Sequence, residues 1–130
     1  MLPRERYGIN TFFGVELNIL NSDGEVDLPE RLLKRMDLTI ASIHTPCFQK
    51  ERSKEEVTKA YMNAMKNPYI NVIGHPDDSR FPIDYEQLVK CAKETGTLLE
   101  INNSSMREDN NRVNSVENIK DIVKGIQAHL

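Results

Sequence analysis

Apolar residues gather in four short runs, at residues 12–20, 38–44, 69–74 and 97–102. Each is rich in aromatic or β-branched side chains and predicts a strand. After every run the pattern changes to a helical period. The clearest case follows the second run, where Val57, Ala60, Tyr61, Ala64 and Met65 recur at i, i+3, i+4, i+7 and i+8 and form one buried stripe. Ser53 with Glu56 three positions later predicts a capping box at its start, and Asn67-Pro68 closes it. The next helix begins at Asp84, with Gln87 as the reciprocal capping partner, Ile83 and Leu88 as a hydrophobic staple, and Gly96 at its end. A shorter first helix holds Leu28, Leu32, Leu33 and Met36, and a last one carries Val116, Ile119, Ile122, Val123 and Ile126 behind a Ser115 cap.

Strand followed by helix, four times over, implies parallel strands joined by right-handed crossovers, hence an α/β sheet or barrel of about four consecutive βα units. The 130 residues fit one domain, residues 1–130, without linker or low-complexity tract. The polar stretch SSMREDNNRVN (104–114) is the one long loop, and in such folds long loops after strands carry function or move.

Composition narrows the classes. With 38% hydrophobic and 28% charged residues, a chain of this length builds a core without disulfides or a structural metal, so any metal argument must stand on ligand chemistry. The formal net charge is −3 and the cations are scattered, so nucleic-acid binding by a basic face is not indicated. Cys47 and Cys91 lie in no CxxC pattern and read as reduced thiols of a cytoplasmic protein. The first residues are charged and no apolar run approaches the roughly 18 residues of a membrane span, so neither export nor membrane insertion is expected.

In a parallel α/β fold, ligands collect at the carboxyl ends of the strands, because every strand end feeds a loop on the same rim. Glu16 lies within the first strand, and His44 and His75 end the second and third. The separations are 28 and 31 residues, with Asn102 a further 27 on, close to one βα unit each. Two imidazoles and a carboxylate on one rim make a three-ligand set of the kind catalytic zinc sites use, with a position left for water. Zinc is preferred on this chemistry, and manganese or iron also accept N and O donors. Such a set lends itself to hydrolysis, because the metal acidifies its water and polarises a phosphoryl oxygen.

Other roles stay open for each residue. A single histidine after a buried strand is more often a hydrogen-bonded structural residue than a ligand, and alternation alone cannot choose a face for Glu16. Asp77 and Asp78 read as turn residues beside Pro76 and Ser79. Arg80 can clamp a phosphate through its forked donors or sit in a surface salt bridge. Asn102 and Asn103 can orient a substrate or cap the following loop. His129 reads as a solvated residue at a helix end.

The segments GVELNIL (14–20), DGEVDLP (23–29), LTIASIHTP (38–46), NVIGHPDD (71–78) and LLEINNSSM (98–106) together resemble the PHP phosphoesterase superfamily, particularly its bacterial YcdX-like phosphatase branch. The resemblance spans most of residues 3–108. It implies a distorted (β/α)7 barrel with divalent metals, usually three, at the carboxyl ends of the strands. It also implies hydrolysis of phosphate esters by metal-bound hydroxide attacking phosphorus. By position, Glu16 matches a glutamate bridging two metals, and His44 and His75 match two histidines of the second metal's set. Asn102, Asn103 and Ser104 match a motif beside the site, and Arg80 falls near a basic position. The family's opening HxH strand, two further early histidines and closing DxH motif have no counterpart in these 130 residues, which keep one metal set of the three.

The expected function is thus a metal-dependent phosphatase of small phosphorylated substrates, with Glu16, His44 and His75 at the catalytic metal and Arg80, Asn102 and Asn103 toward substrate. The alternatives are a non-catalytic metal-binding half-barrel, or a PHP domain of the histidinol-phosphatase or DNA-polymerase-associated kind. A partial barrel exposes strand edges and an apolar face, which predicts a homo-oligomer.

Overall fold

The four apolar runs become four parallel strands, each shorter than the run that predicts it. The computed structural model describes residues 5–48, 53–78, 80–106 and 115–128. Strands β3 (Gly14–Asn18), β4 (Leu38–Ser42), β5 (Val72–Ile73) and β6 (Leu98–Leu99) form one sheet in sequential order, every pairing parallel. Helices α1 (Glu30–Leu33), α2 (Lys54–Met65) and α3 (Tyr85–Thr95) connect them in turn, and α4 (Ser115–Ala128) follows β6 after a 3-10 turn at Asn103–Met106. The protein is therefore α/β, with a four-stranded parallel sheet and four helices among the described residues. The capping role of Ser115, the side chain of Val116, the middle of the long loop, Ser79 and His129 lie outside the described residues.

Register decides which face is covered. Leu17 pairs with Ala41, Ala41 with Ile73 and Ile73 with Leu99, so these four point to one side. There Leu17, Ala41 and Ile73 are fully buried with Val57, Ala60, Tyr61, Ala64 and Leu88, in one core with α2 and α3. The stripe predicted for α2 is buried at all five positions. The opposite face carries Glu16, Ile40, Val72 and Leu98 in register. It is open, with Leu38 42% and Leu98 65% exposed.

Several expectations are refined. The first helix is a single turn, with Leu33 its buried residue, while Leu28 and Met36 lie outside it. On α4, Ile119 and Ile122 are buried but Val123 and Ile126 are exposed. At α3, Asp84 Oδ1 accepts from Gln87 N at 3.0 Å as predicted, yet the Gln87 amide donates to Asp84 Oδ2 at 2.9 Å rather than reaching back to the backbone. The Asp84 N–H donates instead to Thr58 Oγ1 of α2 at 2.9 Å, tying the two helices together. An antiparallel hairpin, β1 (Glu5–Arg6) and β2 (Ile9–Asn10), precedes the sheet and was not anticipated. Its turn has positive φ at both Tyr7 (58°) and Gly8 (76°), the primed geometry that matches strand twist, and a tyrosine does not advertise that conformation.

The backbone N–H of Gln87, helped by its side-chain amide, holds the Asp84 carboxyl below its usual pKa against the opposing effect of burial. A depressed folded pKa means the cap's contribution is complete above the unfolded value of 3.8 and is lost as pH falls through the folded one. Asp84→Ala is expected to cost about 1 kcal/mol near neutral pH. In urea titrations the gap between variant and parent should narrow as pH falls below 3.8, and a pH-independent gap would contradict a charged cap.

Candidate metal centre

Glu16 reaches the rim because Leu17 and Ile19, both fully buried, claim the helix-covered side of β3. Alternation then sends Glu16 and Asn18 to the open face. His44 follows β4 by two residues, in the same parity as Ile40 and Ser42. His75 is different, since alternation after Ile73 and Gly74 would turn it toward the helices. Its backbone has φ +33°, outside the strand region, and this break swings the ring to the rim. A non-glycine residue held there costs about 1–3 kcal/mol, which the surroundings must offset. The Glu100 carboxylate helps by accepting from His75 N at 2.6 Å.

The three residues chosen from sequence come together. Glu16, His44 and His75 each offer a donor atom within 4.8 Å of the others. His44 Nε2 is 3.5 Å from Glu16 Oε1 and 3.2 Å from His75 Nε2, the two rings meeting edge to face. Exposure falls steeply across the set, from the Glu16 side chain at 56% and His44 at 35% to His75 at 7%. A carboxylate only accepts hydrogen bonds and a neutral imidazole keeps one bare nitrogen, so converging lone pairs of this kind are best satisfied by a cation. The N and O donors suit a divalent transition metal.

Beside the donors lies a cavity of about 460 Å³ with Glu16, Asn18, His44, Cys47 and Arg80 in its walls. Arg80 makes the salt bridge anticipated as one of its two roles, binding Asp78 through Nε (3.0 Å to Oδ1) and Nη2 (2.6 Å to Oδ2). That bond raises its pKa further. The salt bridge does not bury Arg80, whose side chain is 44% exposed at the cavity wall, whereas Asp78 is buried. Asn102 behaves as a cap: its Oδ1 accepts from Ser104 N at 2.9 Å, and its amide only approaches Glu100 at 3.4–3.5 Å. Asn103 is exposed at the start of the 3-10 turn, and neither asparagine is in the cavity wall.

Asp77 and Asp78 do form a turn, with Asp78 N bonded to His75 O, but both are buried, unlike ordinary turn carboxylates. Neither carboxylate oxygen of Asp77 has a hydrogen-bond partner among the described residues. Burial, then these two charges, push the phenols of Tyr61 and Tyr85 well above their usual pKa. Both cysteines are free thiols, and burial pushes that of Cys91 up.

Sequence reasoning passed over Asn18, Asp27 and Glu100. Asn18 Oδ1 lies 2.6 Å from His44 Nδ1, and Asn18 is bonded to Asp27 through both its backbone and its side chain. A usable signal existed for two of them, since Asn18 shares the parity of Glu16 and Glu100 that of Asn102.

No family model matches the chain. Among curated proteins it is 44% identical over 129 residues to a probable phosphatase of Clostridium novyi, covering 99% of this chain and 52% of that protein. A probable phosphatase of Caldanaerobacter subterraneus is 48% identical over 105 residues, 81% of this chain and 41% of its own length. One from Vibrio parahaemolyticus is 40% identical over 124 residues, 95% and 49% of the two chains. The chain spans about half the length of the curated relatives it matches.

Proposed function

From its similarity to proteins named as phosphatases, we propose that this chain carries the metal-holding part of a PHP-type phosphatase, an enzyme that hydrolyses esters of small phosphorylated molecules. The observation that carries the reading is the convergence of one carboxylate and two imidazoles at the open rim of a parallel sheet. Four sequential βα units covered by helices on one face fit part of a (β/α)7 barrel, whose interior would be the open face here.

Glu16, His44 and His75 would hold the metal, with zinc the first choice and manganese or iron alternatives. When bound, it supplies Lewis acidity toward a phosphoryl oxygen and an acidified water near neutral pH. The chain's own residues do the rest. Asp78 holds the Arg80 guanidinium at the cavity wall, where its charge attracts and orients a phosphate. Asn102 and Asn103 shape the turn beyond β6, so their part in substrate binding is indirect. The cavity of about 460 Å³ fits a small phosphate monoester. Among the described residues no helix is long and apolar enough to cross a membrane, and two free thiols fit the cytoplasm.

A zinc- or manganese-loaded chain is expected to hydrolyse p-nitrophenyl phosphate. Binding without turnover would favour the second reading, a metal-binding half-barrel without catalysis.

The open face and the outer edges of β3 and β6 lead to an expectation about assembly. Two copies joined by β3 of one and β6 of the other would make eight parallel strands, the number at which side chains fill a barrel, and cover Leu38 and Leu98. Light scattering at micromolar concentration should then report a dimer, and a monomer would defeat this part of the reading.

A further inference from the structure

The amide of Asn18 has only one orientation that suits its neighbours. Its Nδ2 lies 2.7 Å from Asp27 Oδ2, while its backbone N lies 2.9 Å from Asp27 Oδ1. An ionised carboxylate only accepts, so the amide nitrogen must face Asp27 and the amide oxygen must face away. That oxygen lies 2.6 Å from His44 Nδ1. An amide oxygen also only accepts, so Nδ1 carries the proton. In a neutral imidazole this leaves Nε2 bare, and Nε2 is the atom that faces Glu16 at 3.5 Å and His75 at 3.2 Å.

We infer that Asp27, acting through Asn18, selects the tautomer of His44 that presents a lone pair to the rim, so that the ring is ready to ligate before any cation arrives. Asp27 and Asn18 are positioning residues. Asp27 comes from the segment after β3, at the bottom of a chain that runs carboxylate, amide, imidazole. Burial raises the Asp27 carboxyl, but the bonds from Asn18 outweigh it and keep the group below its ordinary range, hence charged at neutral pH. The polarity of the chain starts there. A neutral residue at 27 would let the Asn18 amide turn over, offer its nitrogen to His44 and favour the wrong tautomer. Only the consequence for metal affinity rests on the proposed metal centre. The tautomer itself does not.

The test reads the metal-free chain. Long-range proton–nitrogen spectra of ¹⁵N-histidine-labelled protein at about pH 8, where imidazoles are neutral, should show His44 protonated at Nδ1. Asn18→Leu is expected to move it to the Nε2-protonated form, and Asp27→Ala to populate both. Should Asp27→Ala fail to fold, Asp27→Asn keeps the shape without the charge and should also populate both. Chelator competition should then give zinc affinities lower by about 10–100-fold for the variants, the usual effect of losing a ligand's orienting partner. A parent chain with His44 protonated at Nε2, or variants that keep its tautomer, would overturn the inference. If His44 behaves as expected but zinc does not bind, the relay stands and the functional reading falls. If zinc binds while the tautomer ignores residues 18 and 27, the reverse holds.

Discussion

His75→Ala is expected to lower the zinc affinity of the chain by more than about 100-fold, beyond the range seen when only a supporting partner is lost, and to abolish phosphate-ester hydrolysis. His75 is the most enclosed of the three donors, 7% exposed, and its Nε2 lies 3.2 Å from that of His44. Removing it leaves one imidazole and a half-exposed carboxylate, a pair with little power to hold a divalent ion against water. The fold should largely survive, because the His75 backbone bond to Glu100 does not involve the ring. Chelator competition and a p-nitrophenyl phosphate assay, with the urea midpoint as folding control, check the result. A variant that binds zinc like the parent would remove His75 from the site and leave the proposed chemistry without its set.

Gly24→Ala is expected to be strongly destabilising, costing about 2–4 kcal/mol from a left-handed backbone combined with overpacking. Gly24 has φ +76°, and a Cβ there would sit 2.5 Å from Ala64 N and 2.7 Å from Asn63 C. Those are backbone atoms of α2, which cannot swing aside as a side-chain tip would. The loop is otherwise pinned to that helix by the Asn63 amide, which donates to Ser22 O at 2.9 Å, so it cannot lift off cheaply either. Gly96, with φ +73° but nothing within 4 Å of its Cβ position, isolates the backbone contribution. Gly96→Ala should cost only about 1–2 kcal/mol. Urea unfolding of the two variants measures the difference, and equal costs would mean that the contact with α2 is not tight.

The damage at residue 24 should also reach the rim. Gly24 lies on the segment that returns from β3 to Asp27, and the bridge between Ile19 and Val26 sets where Asp27 meets Asn18. Core and site therefore share a short stretch of chain.

Periodicity revealed the architecture because α2 and α3 have continuous buried stripes and explicit caps at Ser53 and Asp84. It was weaker at α1, where Leu28 and Met36 belong to the flanking loops, and at the β1–β2 hairpin, whose turn places a tyrosine where glycine or asparagine is usual. The turn reading of Asp77 and Asp78 identified the local conformation but not the burial, since a turn pattern carries no information about what later packs over it. Asn118 of α4, 41 residues away, donates to Asp77 O at 2.8 Å.

By itself the amino-acid order specified four strand–helix units, the helical faces that become core, and three ligand-type residues spaced one unit apart. Those features come from local periods and caps, which neighbouring residues determine among themselves. The side of the sheet taken by Glu16, the reversal of His75 and the alignment of Asp27, Asn18 and His44 were decided only by tertiary structure. A period of two reads the same from either face, and atoms tens of residues apart come within 3 Å only through strand register, a strained backbone angle and the closing of a loop against a helix.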